Sequence, residues 1–332
     1  MYKNVVIKST GTYLPETVLT NDHYVEHFDK LGLKSRGLYK ALGRDKRHVV
    51  SEGENTFTMG LEAAKQALKN ANVDVTEIDM LVFASDAPEY LAPTTALALH
   101  DALGTVNAHM VFDMNQNCTG MIAAIDVVTR YMKTTKHLKK ALVVSAFNGT
   151  LMANPNEPVT HGVLSDGASS VVLELLEEET ERGVIDSNYK SDPETWRLMV
   201  YPACGLSKME DPSIPVEGKK IYWGHEEADF LPIATNVMLK QLLKNNDLQA
   251  EDVEHYIVSQ FEPEIMEAVH KELNVPLEKF TSTHAELGYM GNSSPIHTYV
   301  ALLNQKTVNS GEKLILSSIG SGYTMASILY QF

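Results

Sequence analysis

Cysteine is nearly absent from this chain: Cys118 and Cys204 are the two in 332 residues. That scarcity excludes a disulfide framework, and neither residue sits in a Cys/His spacing of the metal-binding kind. Free thiols are therefore expected, with no metal and no cofactor. No stretch reaches the roughly 18 consecutive apolar residues of a membrane span. The opening MYKNVVIKST lacks the basic region and apolar run of a secretory leader. No membrane span and a cytoplasmic location are the expectations. Cations are also in deficit, 28 Lys and Arg against 43 Asp and Glu for a net charge of −15. That balance is the wrong sign for a nucleic-acid partner, which is held chiefly by clustered Lys and Arg. Low-complexity stretches are missing, and 44% hydrophobic with 21% charged residues is the make-up of a globular chain.

What is present is length enough for two cores, and an internal repeat. Lys65-Gln66-Ala67-Leu68-Lys69-Asn70 answers Lys240-Gln241-Leu242-Leu243-Lys244-Asn245. The correspondence continues from Glu77-Ile78-Asp79 to Asp252-Val253-Glu254, and from Met80-Leu81-Val82-Phe83 to Tyr256-Ile257-Val258. Leu99–Leu103 then answers Val269–Leu273, and Ala141–Ser145 answers Lys313–Ser317. Apolar positions three and four apart predict a helix in each copy, and the short unbroken apolar runs predict strands covered on both faces. The chain reads as a duplicated α/β protein, divided into an N-terminal half over 1–175 and a C-terminal half over 176–332.

Several ordered pieces carry a resemblance. They are Gly11-Thr12-Tyr13-Leu14-Pro15-Glu16 with Val18–Asn21, Asp86–Thr94, Phe112-Asp113 with Asn117-Cys118-Thr119-Gly120, and Leu164–Ala168. Tyr201–Gly205, Gly291-Asn292-Ser293-Ser294 and Gly320-Ser321-Gly322 complete the series. Together they resemble the ketoacyl synthase III branch of the thiolase superfamily over almost the whole chain. The resemblance implies a thiolase-like fold of two duplicated βαβαβαββ halves in a five-layered α-β-α-β-α arrangement. It also implies an acyl-thioester transferase or condensing enzyme of fatty acid, polyketide or related metabolism, fed by acyl-CoA or acyl carrier protein. A homodimer is implied as well, with Asp86–Thr94 leading to its interface.

Cys118 follows the turn Asn115-Gln116-Asn117 and precedes the apolar stretch Met121–Ile125. A thiol at a helix N-terminus has its thiolate favoured by free amides and the positive end of the dipole, which suits an acyl acceptor. A small buried hydrophobe is the alternative for a free cysteine. Cys204 lies where the resembling proteins place a small residue, and packing is expected of it. Within the family pattern Asn292 matches an Asn that donates to the thioester oxygen, and the Gly320-Ser321-Gly322 segment would lend a backbone amide to the oxyanion.

The pattern also breaks. The family His falls at Ser259, whose hydroxyl donates a hydrogen bond but cannot hold a positive charge or shuttle a proton near neutral pH as imidazole does. An Arg that helps dock the carrier protein falls at Glu264, and the Trp that stacks on coenzyme A adenine has no counterpart around Lys34–Gly37. His161, His225, His284, His297 and Glu262 are the candidates to substitute for the lost imidazole. Two functions follow: an enzyme working through acyl-Cys118, or a non-catalytic or partly active subunit of a heterodimer with an intact synthase. A hydroxymethylglutaryl-type synthase, which also relies on His, ranks below both.

Overall fold

The computed structural model describes residues 1–224 and 230–332. Two mixed sheets organise the chain. The first runs in the order Tyr2–Tyr13, Asp166–Glu178, Lys140–Asn148, Met80–Ala84, Met110–Met114. Met80–Ala84 pairs in parallel with both Met110–Met114 and Lys140–Asn148, and the other two strands join antiparallel. The second sheet repeats this plan from the opposite edge: Gly183–Lys190, Thr324–Gln331, Lys313–Gly320, His255–Ile257. Its counterpart to Met110–Met114 is reduced to a bridge between Tyr256 and Phe280. The expected third strand of that half is thus a single paired residue, and the run around Phe280-Thr281-Ser282-Thr283 has no apolar continuity to extend it.

Alternation along each strand explains why the runs are apolar throughout. Met80, Val82 and Ala84 point to the layer between the sheets, while Leu81 and Phe83 point to the outer face. The helices Thr56–Ala71 and Thr95–Leu103 cover that outer face. Gly120–Thr134 and Ser294–Gln305 lie between the sheets and contribute Met121, Ile125, Ile296 and Leu302 to the central core. Phe230–Asn245 and Pro263–Leu273 close the outer face of the second sheet. The result is helix, sheet, helix, sheet, helix, the five layers expected. Ends of the helices are chemically marked. Asn55 caps Thr56–Ala71 in a reciprocal box with Thr58, and Asn72 ends it in the left-handed conformation.

This layering positions the site. In open α/β sheets ligands collect outside the carboxyl ends of parallel strands. Met80–Ala84 ends next to Asp86, Met110–Met114 ends next to Cys118, His255–Ile257 ends next to Ser259, and Lys313–Gly320 ends next to Ser321.

Candidate active site

Cys118 is held on a tight turn between strand and helix. The Asn117 amide donates to Asn115 Oδ1 at 2.9 Å, Asn117 takes a left-handed φ of 51°, and the Gly120 amide closes onto the Asn117 carbonyl at 2.9 Å. The second half grips the same turn. Ser318 Oγ donates to the Cys118 carbonyl at 3.1 Å, and Asn117 Nδ2 donates to the Ser321 carbonyl at 3.0 Å. Gly320 permits this approach, since a Cβ there would lie 3.0 Å from the Asn117 Cβ and 3.3 Å from the Cys118 amide nitrogen.

The sulfur itself is buried, 4% exposed. Its neighbours are Asp86, to whose Oδ2 it donates at 3.7 Å, the Tyr289 hydroxyl, and the Ser321 backbone amide. Burial pushes the thiol well above the ordinary cysteine range and the Asp86 charge adds to that. The expectation of a thiolate favoured at rest by the helix terminus did not take in the burial and the neighbouring carboxylate, both of which favour the neutral thiol. Asp86 is raised in turn, to about 7, by burial, against the lowering effect of the thiol hydrogen bond. Tyr289 is pushed above its usual range by burial and by Cys118, and its hydroxyl donates to the Ile319 carbonyl at 3.3 Å.

Asn292 lies in the 3₁₀ turn Gly291–Ser293 that opens the helix Ser294–Gln305, fully buried. Its amide donates to the Ala84 carbonyl and to Asp86 Oδ1, both at 3.2 Å, and its oxygen accepts from Ser145 Oγ at 2.9 Å. Asn292 and Cys118 therefore converge, and the group between them is Asp86. The Asn292 amide protons are committed to that carboxylate and to a strand carbonyl rather than presented to the cavity.

Two cavities meet at the sulfur. The larger, about 480 Å³, is lined by Asp86, Cys118 and Tyr289 with Phe147, Met152, Met199 and Ile221, and by Asp192 and the half-exposed Trp196. Asp86 and Asp192 are its ionisable carboxylates, and among the described residues no Lys, Arg or His lines it. The smaller is a narrow apolar slot that Ser259 shares with Trp223, Leu231, Phe261, Ile265 and the Gly320–Gly322 turn. Ser259 is 5% exposed, and its hydroxyl accepts the Phe261 amide at 3.4 Å. Phe261 packs edge-on to Tyr289, with ring centroids 5.1 Å apart, and against Trp223 at 5.7 Å. Behind it Arg44 is fully buried and donates to the carbonyls of Gln260 and Phe261, which pins this segment.

The substitute imidazoles are elsewhere. His161 packs among Tyr24, His27 and Phe28, His284 pairs with Ser282 Oγ, and His297 bonds the Ala168 carbonyl at 2.9 Å. None of these three lines either cavity at Cys118. His225 lies outside the described residues. Glu262 stands at the start of the helix Pro263–Leu273 and Glu264 is exposed on it. Cys204 sits by the Gly205 carbonyl and Met209, in neither cavity. Among the described residues no cluster of His, Cys, Asp and Glu is arranged for a metal ion, and no helix is long and apolar enough to cross a membrane. Sequence reasoning missed Asp86 and Tyr289. The one faint signal for Asp86 was an acidic residue two positions after a fully buried strand, and it is masked by the turn-like Ala87-Pro88-Glu89 that follows.

Two sequence models of one family match the chain: 3-oxoacyl-[acyl-carrier-protein] synthase III over residues 112–193, and the C-terminal part of the same enzyme over 243–332. The β-ketoacyl-[acyl-carrier-protein] synthase III of Wolbachia pipientis wMel is 30% identical over 332 residues, covering 98% of each chain. That of Clostridium novyi strain NT is 29% identical over 339 residues, covering 99% of each. In fold, the priming β-ketosynthase of the R1128 polyketide biosynthetic pathway superimposes with a TM-score of 0.89 at 19% identity, over 99% of this chain and 96% of that one. With the duplicated layers, the cysteine turn and the Gly-Asn-Ser turn all in family order, the chain belongs to the 3-oxoacyl-[acyl-carrier-protein] synthase III family of acyl-transferring condensing enzymes.

Proposed function

We propose that this chain takes an acyl group from acyl-CoA or an acyl carrier protein onto Cys118 and passes it to a second substrate, in fatty acid or polyketide synthesis. The observation that carries the reading is a cysteine sulfur in contact with a carboxyl group, a tyrosine hydroxyl and a backbone amide in the wall of a cavity of about 480 Å³. Acyl transfer needs a nucleophile, a proton acceptor and a donor for the developing oxyanion. Decarboxylation of a malonyl thioester needs more: preorganised donors on the enolate oxygen. Ser259 supplies no imidazole for that, and the carboxylates of Asp86 and Asp192 disfavour binding of a malonyl group. Both features support transfer that outlasts condensation.

A second copy of the chain is the proposed partner. Met110–Met114 ends the first sheet with every residue half-buried, and Leu91, Leu97 and Val106 are exposed on the segments leading into it. An unpaired apolar strand edge of this kind supports pairing with another chain. The test of the whole reading is intact-mass measurement after incubation with acetyl-, hexanoyl- and decanoyl-CoA and the matching carrier-protein thioesters. A mass gain mapped to Cys118 is expected. No gain with any donor would leave the heterodimer-subunit reading in its place.

A further inference from the structure

We propose that Asp86 is the proton-transfer residue of Cys118, taking the thiol proton as the sulfur attacks the acyl thioester and returning it to the departing thiol. The proposal rests on Cys118 being the acyl carrier. It supplies the chemistry that the missing imidazole leaves open, from a residue on the other wall of the cleft.

The geometry is specific. Asp86 Oδ2 faces the Cys118 sulfur at 3.7 Å, and Asp86 Oδ1 is fixed by Asn292 Nδ2 at 3.2 Å. Asn292 is itself fixed by the Ala84 carbonyl and Ser145. One carboxylate oxygen is thus anchored and the other aimed at the reacting atom. Asn292 is the positioning residue in this arrangement. The titratable groups that face Asp86 or share its cavity are Cys118, Tyr289, Asp192 and Tyr201, and the buried Arg44, bonded to the Gln260 and Phe261 carbonyls, does not line it. Among the described residues no cation lines this cavity to neutralise two negative charges at once. Burial of both groups, and the Asp86 charge acting on the thiol, leave the pair with one proton between them above pH about 7 and two below it.

The step balances within these groups. With Asp86 ionised and the thiol neutral, the sulfur attacks the thioester carbonyl and a new S–C bond forms while the thiol proton passes to Asp86 Oδ2. The tetrahedral oxyanion forms close to the Ser321 amide. On collapse the C–S bond to the leaving group breaks, and the Asp86 proton goes to the departing sulfur. Acyl-Cys118, a free thiol and an ionised Asp86 result. Because the thiol is the weaker acid of the pair, the proton moves as the bond forms rather than beforehand.

The test follows the rate of acyl-Cys118 formation by quenched intact mass from pH 5.5 to 10, using whichever of acetyl-, hexanoyl- and decanoyl-CoA loads the unaltered protein fastest. In the unaltered protein the rate is expected to rise through pH about 7, where Asp86 loses its proton, and then to level off. Asp86→Asn, which keeps the shape and an oxygen for Asn292, is expected to load about 100-fold more slowly at pH 7.5. Its residual rate should climb towards pH 10 with no step near 7. Asp86→Glu should recover part of the rate and the step with it, and it serves if Asp86→Asn does not fold. A loss in Asp86→Asn by the same factor at every pH would mark a merely structural role and overturn the proposal. So would unchanged loading, or an unaltered protein with no step between pH 6 and 8. Cys118→Ala separates the two claims: labelling that persists in that variant removes the acyl-carrier reading itself.

Discussion

The two walls of the cleft descend from one duplicated unit and have diverged in opposite directions. On the first-half wall the strand Met80–Ala84 delivers Ser85 and Asp86, and Asp86 touches the Cys118 sulfur. On the second-half wall the matched strand His255–Ile257 delivers Ser259, Gln260 and Phe261, of which Ser259 and Phe261 line an apolar slot. The titratable group stands on the wall where the resemblance did not put it, and the wall meant to carry a proton is filled by aromatic rings. Duplication makes such an exchange accessible, because each half brings a strand end to the same crevice, so a group supplied from either side reaches the same sulfur.

Removing the reactive centre gives the largest break of that comparison. Cys118→Ala should abolish acyl loading by intact mass, whereas Cys204→Ser should load at the unaltered rate, because Cys204 lies in neither cavity. Next comes restoring the second wall. Losing one preorganised oxyanion donor costs about 2.7 to 4 kcal/mol, or roughly 100- to 1,000-fold in rate. Carbon dioxide release from malonyl thioester should accordingly be weak in the unaltered protein. Ser259→His combined with Phe261→Ala, which opens the slot for the ring, should raise it by about that factor. Strong release from the unaltered protein, unmoved by the double substitution, would show that the second wall still performs the step.

Most of the fold was legible because the repeat keeps residue identities and order together. Lys65–Asn70 and Lys240–Asn245 end the two matched outer helices, and Ala141–Ser145 and Lys313–Ser317 lie in matched central strands. The shrunken strand at Phe280 was not legible, since a pattern of period two needs several residues to show. The placement of Cys118 on a turn before an apolar helix was legible, and the nucleophile role read from it stays a proposal. Asp86 was not: followed by Ala87-Pro88-Glu89 it reads as an exposed turn, and only the fold carries it to a sulfur 32 residues away. The sign of the thiol shift was missed for the same reason, as local sequence shows the helix terminus but neither the burial nor the carboxylate.

Reactivity toward a small alkylating agent sharpens the contrast between sulfur and environment. A thiol held above the usual range has less thiolate at a given pH than an ordinary cysteine, and the deficit shrinks as pH rises towards the shifted value. Iodoacetamide at pH 7.5 should therefore label Cys204, which is part-exposed, about tenfold or more faster than Cys118. The gap should narrow by pH 10. Peptide mapping of the labelled sites at the two pH values decides it, and rapid labelling of Cys118 at pH 7.5 would place a stabilised thiolate there after all.

The smallest effect concerns stability, and it asks what holding Asp86 costs the fold. Its folded value, about 7, lies above the ordinary 3.8, so the folded state binds this proton more tightly than the unfolded state. The sign follows: the group opposes folding fully at pH above about 7, and that opposition fades as pH falls and is lost only below the unfolded value of 3.8, where both states are protonated. A shift of about three units corresponds to roughly 4 kcal/mol, and the open cavity beside the carboxyl reduces this to about 2 kcal/mol. Asp86→Asn removes the ionisation while keeping the acceptor for Asn292. The variant should melt a few degrees higher than the unaltered protein at pH 8, at about 1.5 °C per kcal/mol for a chain of 332 residues. At pH 4.5 the difference should fall to about half or less of its value at pH 8. Groups held in an unfavourable ionisation state for chemistry commonly lower stability in this way, so a variant that loads acyl groups poorly yet melts higher fits a working residue. Equal melting temperatures at pH 8 would mean that Asp86 is well solvated in the folded protein, and the first wall would then differ from the second less than its geometry implies.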